Sequence, residues 1–95
     1  MAAKIEGTVV AANKSGNLVT DIPCAALTDI PHTSAVTIRC DEHETVGLFT
    51  TNHQEPEFSF LALLGESGFL ELTIVGDSAQ AMLGVRPGER VSVQW

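Results

Sequence analysis

The side chains able to do chemistry in this chain fall into four groups. Cys24, His32, Cys40, His43 and His53 could ligate a metal, and Cys40 and His43 stand at a Cys-x-x-His interval. A tetrahedral site built on close pairs needs a second such pair, and the five donors are instead strung out along the chain. They read as loop histidines and reduced core thiols, with no metal centre. Gly65-Glu66-Ser67-Gly68 has the composition of a nucleophile elbow. That device needs Gly-x-Ser-x-Gly running into a helix, and the residues after Gly68 are strand-like, so Ser67 is a turn or hydrogen-bonding residue. Asp41/Glu42/Glu44 and Glu55/Glu57 are paired carboxylates in polar loops. They lack the apolar flanks that tune a carboxyl for acid–base work. The fourth group is the Asn17 amide behind Gly16, which offers a donor and an acceptor to a ligand edge or serves the turn alone.

These residues have to be positioned by short strands. Residues 5–12 read as a first strand, with Ile5, Val9 and Val10 toward the core. The turn 13–17 leads into a period-two strand at 18–22 that ends at Pro23. A helical turn is expected near 25–27. Residues 35–40 alternate with Val36, Ile38 and Cys40 on one face. A charged tip at 41–44 precedes a strand at 45–51, a polar loop spans 52–57, and 58–64 reads as a buried central strand. After the 65–68 turn comes a strand at 69–75. Ser78 then N-caps a short helix over 79–83, closed by Gly84, and 90–95 is a last strand. About seven short strands and one helix predict an all-β fold, a small antiparallel barrel or sandwich.

Composition narrows the function. The 95 residues make one domain, 44% hydrophobic and 18% charged, with enough apolar content for a core. The formal charge of −7, with five scattered cations, supplies no basic footprint for nucleic acid. No run approaches the ~18 apolar residues of a membrane span. The first residues lack a signal-peptide apolar region, which gives a cytoplasmic expectation and favours two reduced cysteines over a disulfide.

Three stretches, in order, carry a resemblance: Ser15-Gly16-Asn17-Leu18-Val19-Thr20-Asp21-Ile22, Leu63-Leu64-Gly65-Glu66-Ser67-Gly68-Phe69-Leu70-Glu71-Leu72, and Asp77-Ser78-Ala79-Gln80-Ala81-Met82-Leu83-Gly84-Val85. Together they resemble the C-terminal domain of the S-adenosylmethionine hydroxide adenosyltransferases, relatives of the fluorinase and chlorinase, over residues 5–95. The resemblance implies a closed Greek-key barrel of about seven strands with a helix near 78–84. It further implies an adenosine or S-adenosylmethionine cleft. Asn17, following Gly16, would make an amide contact to adenine, and the Ala79 backbone would meet the adenine edge. Ser67 and Gly68 would lie by the amino-acid end, and Asn52 would occupy the place of a stacking aromatic.

Several positions depart from the family pattern. Asn13 replaces an aspartate that would hold the ligand's ammonium, Ser15 and Asn52 replace aromatics, and Asp21 replaces an asparagine. Glu66 replaces a small hydroxyl residue and would repel a ligand carboxylate. The chain also has no room for the N-terminal domain that carries half of the family's active site. The expected function is therefore a non-catalytic, stand-alone barrel with a weak nucleoside cleft and no resident cofactor. Adenosyl transfer would need a partner domain. The alternative is a structural or protein-interaction module, a homo-oligomer (a trimer by resemblance) or the companion of another protein, with no small-molecule ligand.

Overall fold

In the computed structural model, residues 3–95 are described. Eight strands form one sheet: β1 (Lys4–Ala12), β2 (Leu18–Pro23), β3 (Thr37–Cys40), β4 (His43–Val46), β5 (Leu48–Thr50), β6 (Phe60–Leu64), β7 (Phe69–Ile74) and β8 (Arg90–Gln94). A 3-10 turn follows β2 at Cys24–Leu27, and the helix α1 spans Ala79–Leu83. The spatial order is β4-β3-β8-β1-β2-β7-β6-β5. Every pairing is antiparallel except β5 with β6, which is parallel.

The sheet curls because β1 serves two neighbours. Its first half pairs with β8, from Lys4 opposite Gln94 to Thr8 opposite Arg90. Its second half pairs with β2, with a bulge between Val9 and Ala11. Bulges sharpen twist and bend a strand, which turns the corner here. Asp21 fastens the bend: its carboxylate accepts from the Thr8 backbone N–H at 2.8 Å and the Thr8 hydroxyl at 3.2 Å. At the far side, the Thr45 hydroxyl on β4 donates to the Phe60 carbonyl on β6 at 2.8 Å, so a side chain spans the seam and the barrel is nearly closed.

Leu18, Ile22, Leu27, Ile38, Leu70, Leu72, Val91 and Val93 fill the interior with almost no exposure. The alternation of Val36, Ile38 and Cys40 is realised, all three fully buried. The helix ends also follow expectation. Ser78 accepts from the Ala81 N–H, and Gly84 adopts the left-handed conformation with its N–H on the Gln80 carbonyl.

Three expectations are corrected. The strand expected at 45–51 is two strands, making eight, because buried Gly47 takes φ +85° and redirects the chain from β3's side to β6's. The charged tip is only Asp41–Glu42, since His43 and Glu44 already pair with Cys40 and Arg39. Val10 points outward, as the neighbour of inward Val9 must, and Phe58 lies outside β6, 62% exposed with φ +68°.

Cys24 and Cys40 are free thiols. Burial, with the Asp41 and Glu89 charges adding, pushes Cys40 up to about 11 from 9.0. Burial is also the main cause of the upward shift of Cys24. Native protein treated with iodoacetamide at pH 8 should therefore alkylate slowly, half-buried Cys24 before Cys40, as peptide mapping would show. Because the folded state holds the Cys40 proton more tightly, its contribution to stability is intact below pH 9.0. That contribution declines as pH rises toward about 11.

Candidate functional site

The sequence places a glutamate and a threonine two apart in the apolar strand β7. Period two puts Glu71 and Thr73 on one face and Leu70 and Leu72 on the other. On that polar face the turn between β1 and β2 lies across the strand. Asn13 organises the turn, its side-chain oxygen accepting from the Ser15 N–H at 2.9 Å and the Asn17 N–H at 3.0 Å.

Glu71 is the hub. Only 6% of it is exposed. Its Oε1 accepts from the Asn13 amide at 3.3 Å and the Asn17 amide at 3.4 Å, and its Oε2 accepts from the Ser67 hydroxyl at 2.7 Å. Asn17 spans the strand, because its Oδ1 also accepts from the Thr73 hydroxyl at 2.7 Å. The network leaves no buried side-chain polar atom orphaned among the described residues. Gly65 is small for the same reason: a Cβ there would lie 2.1 Å from a Glu71 carboxylate oxygen.

Two clefts of about 320 Å³ each flank this network and share Ser15 and Asn17. The first is lined by Asn13, Glu66, Ser67, Glu71 and Thr51, with Val19 and Leu63 as its apolar share. The second runs along Thr73 and Ile74 to Gly76 and Asp77. Volumes of this size sit at the small end of ligand sites.

Asn17 and Ser67, fifty residues apart in sequence, thus meet at one carboxylate and line one cleft. Gly16 lies behind Asn17, packed on Ser78, and its carbonyl accepts from the Gln80 N–H at 2.9 Å. Gly68 completes the Ser67 turn at φ +87°, with its N–H on the Gly65 carbonyl. Ala79 is fully buried at the start of α1, so its side chain belongs to the core, while Asp77 before it lines the second cleft. Asn52 stands in the exposed loop after β5 and accepts from the Thr50 hydroxyl; its neighbour Thr51 lines the first cleft. Glu71 and Thr73 are not among the residues expected from sequence; their even interval inside an apolar strand marks a shared polar face but not that the face is covered.

The histidines serve the fold. His32 and His43 donate from Nε2 to the Leu27 carbonyl at 2.8 Å and the Leu83 carbonyl at 3.0 Å, and His53 Nδ1 accepts from the Glu55 N–H. No cluster of three or more metal-binding side chains occurs among the described residues, and no helix there is long and apolar enough to cross a membrane.

Asn13 also shows why an amide suits this position. An aspartate would set a second carboxylate about where the Asn13 amide now meets Glu71, at 3.3 Å. Asn13→Asp should therefore destabilise the domain by about 1–3 kcal/mol at pH 7, from repulsion and a lost donor. Urea unfolding of variant and parent at pH 7 would show the loss as a lower midpoint at unchanged slope.

A nearly closed eight-stranded barrel with a polar cleft between its first turn and β7 defines the class of domain. Residues 7–92 match the model of the SAM hydroxide adenosyltransferase C-terminal domain, and the chain belongs to that family. No curated protein matches the chain. Among solved structures, it is similar to an uncharacterized conserved protein from Thermotoga maritima, with a TM-score of 0.74 and 21% identity over 93% of this chain and 34% of that one. It is also similar to a conserved hypothetical protein from Thermus thermophilus, with a TM-score of 0.69 and 22% identity over 93% of this chain and 32% of that one. The chain thus spans about a third of the length of the structures it matches, and at these identities the likeness is one of fold.

Proposed function

We propose that this barrel is a non-catalytic binding module whose cleft beside Asn17 takes adenosine or S-adenosylmethionine weakly. The observation that carries the reading is the convergence of Asn17 and Ser67 on Glu71 at the wall of one cleft. Adenine recognition calls for side-chain amides and backbone groups on one side and an apolar surface to lie on. The Asn13 and Asn17 amides, with Val19 and Leu63, furnish modest versions of both. The Ser67 hydroxyl is engaged in holding Glu71, and adenosyl transfer would depend on a partner domain completing the site. Calorimetric titration with adenosine and with S-adenosylmethionine tests the reading. Micromolar binding weakened at least tenfold (about 1.4 kcal/mol) by Ser67→Ala supports it, and no heat at millimolar ligand overturns it.

A second reading is a structural or oligomerisation module. It is favoured by Phe58, an aromatic held 62% exposed on a left-handed backbone, a conformation uncommon for a bulky residue. Light scattering after gel filtration separates the cases: a monomer at every concentration removes the homo-oligomer.

A further inference from the structure

The cations of this acidic chain are concentrated on one face. Lys4, Arg39 and Arg90, three of its five lysines and arginines, line a groove of about 290 Å³ across β1, β8 and β3. Glu6, Asp41 and Glu89 line it too, so the groove is formally neutral. The other two cations and nine of the twelve carboxylates then carry the whole formal charge of −7.

Strand register builds this face. Glu6 stands opposite Ser92 and Ser92 opposite Arg39, one row across three strands. Cys40 pairs with Val91, which sets Asp41, just past β3, and Glu89, just before β8, on the same side of that row. Period two turns Ile38, Cys40, Val91 and Val93 into the core and Arg39 outward.

Within one copy these charges are poorly matched. Glu6 takes both Lys4, at 3.7 Å, and Arg90, at 3.4 Å. Arg39, Asp41 and Glu89 enter no ion pair among the described residues. A two-fold axis would match them, since in an isologous contact each residue's neighbour on the second copy is met reciprocally. Two faces laid together about an axis crossing the strands at Cys40 and Val91 set the Arg39 row of each copy over the Asp41 and Glu89 level of the other. Elsewhere the surface is net negative, and complementary charge is what selects a partner and its register.

Resting on the oligomerisation reading above, we infer that the β1–β8–β3 face is a self-association surface, where Arg39 of each copy pairs with Asp41 and Glu89 of a second copy. Phe58 lies outside this groove, as does the cleft beside Asn17. Salt acts on the contact in two directions. The molecule measures 35 × 29 × 23 Å, so the net charges of docked copies lie beyond the screening length of about 10 Å at 0.1 M salt, and the pairs lie within it. Association should be strongest near about 0.1 M, weaker at about 0.01 M, where the net charges repel, and weaker at about 1 M, where the pairs are screened.

The test is sedimentation equilibrium of the full chain at pH 7 at those three salt levels. Arg39→Glu should weaken self-association at least tenfold, and so should the double variant Asp41→Asn with Glu89→Lys. Asparagine suits position 41, where φ is +55°. All three side chains are exposed, so thermal melts should match the parent. If the double variant melts early, Glu89→Lys alone takes its place. An equimolar mixture of the two variants should restore a one-to-one dimer, because both reciprocal contacts regain opposite charge. Phe58→Ser should leave association unchanged. An oligomer lost in Phe58→Ser and kept in Arg39→Glu, or a mixture that stays dissociated, overturns this inference and leaves the oligomerisation reading standing. A monomer under every condition overturns both.

Discussion

Gly16→Ala is expected to destabilise the domain by about 2–4 kcal/mol, through two effects that combine at this glycine. Its φ of +83° is a conformation alanine adopts with difficulty. Its hydrogen side also faces the start of α1, where an added Cβ would lie 2.2 Å from the Ser78 hydroxyl oxygen and 2.8 Å from the Ser78 Cα. The hydroxyl could rotate away, but the backbone atom could not, so the helix must retreat and loosen the Gln80 N–H bond to the Gly16 carbonyl. For a domain of this size the melting temperature should fall by roughly 10–25 °C, at about 4–8 °C per kcal/mol. Gly68→Ala is the control. Its φ is +87° but nothing lies within 4 Å of the added methyl, so only the conformational penalty of about 1 kcal/mol applies. Thermal melts of the two variants should differ by several degrees at least; equal drops would mean that the turn does not bear on the helix as described.

That contrast bears on what the residue pattern can reveal. Gly16-Asn17 is legible as a turn because both residues tolerate positive φ, and the helix over 79–83 is legible because Ser78 and Gly84 are good caps. That the turn and the helix start touch is a tertiary fact, and no spacing rule joins residues sixty apart. Gly47 shows the opposite limit. A lone glycine inside an apolar run gives no sign that the chain will switch neighbours there, because a run and two collinear half-strands share the same alternation. Phe58 departs from expectation for a related reason: apolar character predicts burial, and the left-handed kink that exposes this ring accompanies the pairing of Phe58 and Ser59 with Val75, whose carbonyl accepts from the Phe58 N–H and whose N–H donates to the Ser59 carbonyl.

The candidate site divides in the same way. Asn17 and Ser67 are legible through the motifs that carry the family resemblance; as residues alone they read as turn positions. Glu71 lies inside Phe69-Leu70-Glu71-Leu72, where a single charge between leucines reads as the solvent face of a strand. Its face is covered by the Asn13–Asn17 turn, and only the fold supplies that cover. Asp21 is similar. As a departure from the family pattern it suggests loss of a ligand contact, yet its carboxylate is bonded to Thr8 at the β1 bend.

Removing the hub should have the second large effect. Glu71→Ala leaves the Asn13 and Asn17 amides and the Ser67 hydroxyl without their shared acceptor, while Thr73 still holds Asn17 from the other side. Hydrogen bonds to a charged group contribute about 1.5–3 kcal/mol each, but water entering through the cleft replaces part of that, so a net loss of about 2–3 kcal/mol is expected. Glu71→Gln separates shape from charge. Its amide oxygen can take the two asparagine donors, and its NH₂ can donate to Ser67 Oγ, so the variant should lose about 1 kcal/mol or less. Urea titrations of parent and both variants decide the matter through their midpoints at constant slope. If glutamine is tolerated and alanine is not, the hub holds the turn as a hydrogen-bond acceptor and its charge is not required. Equal losses would mean that the negative charge itself holds the turn on β7.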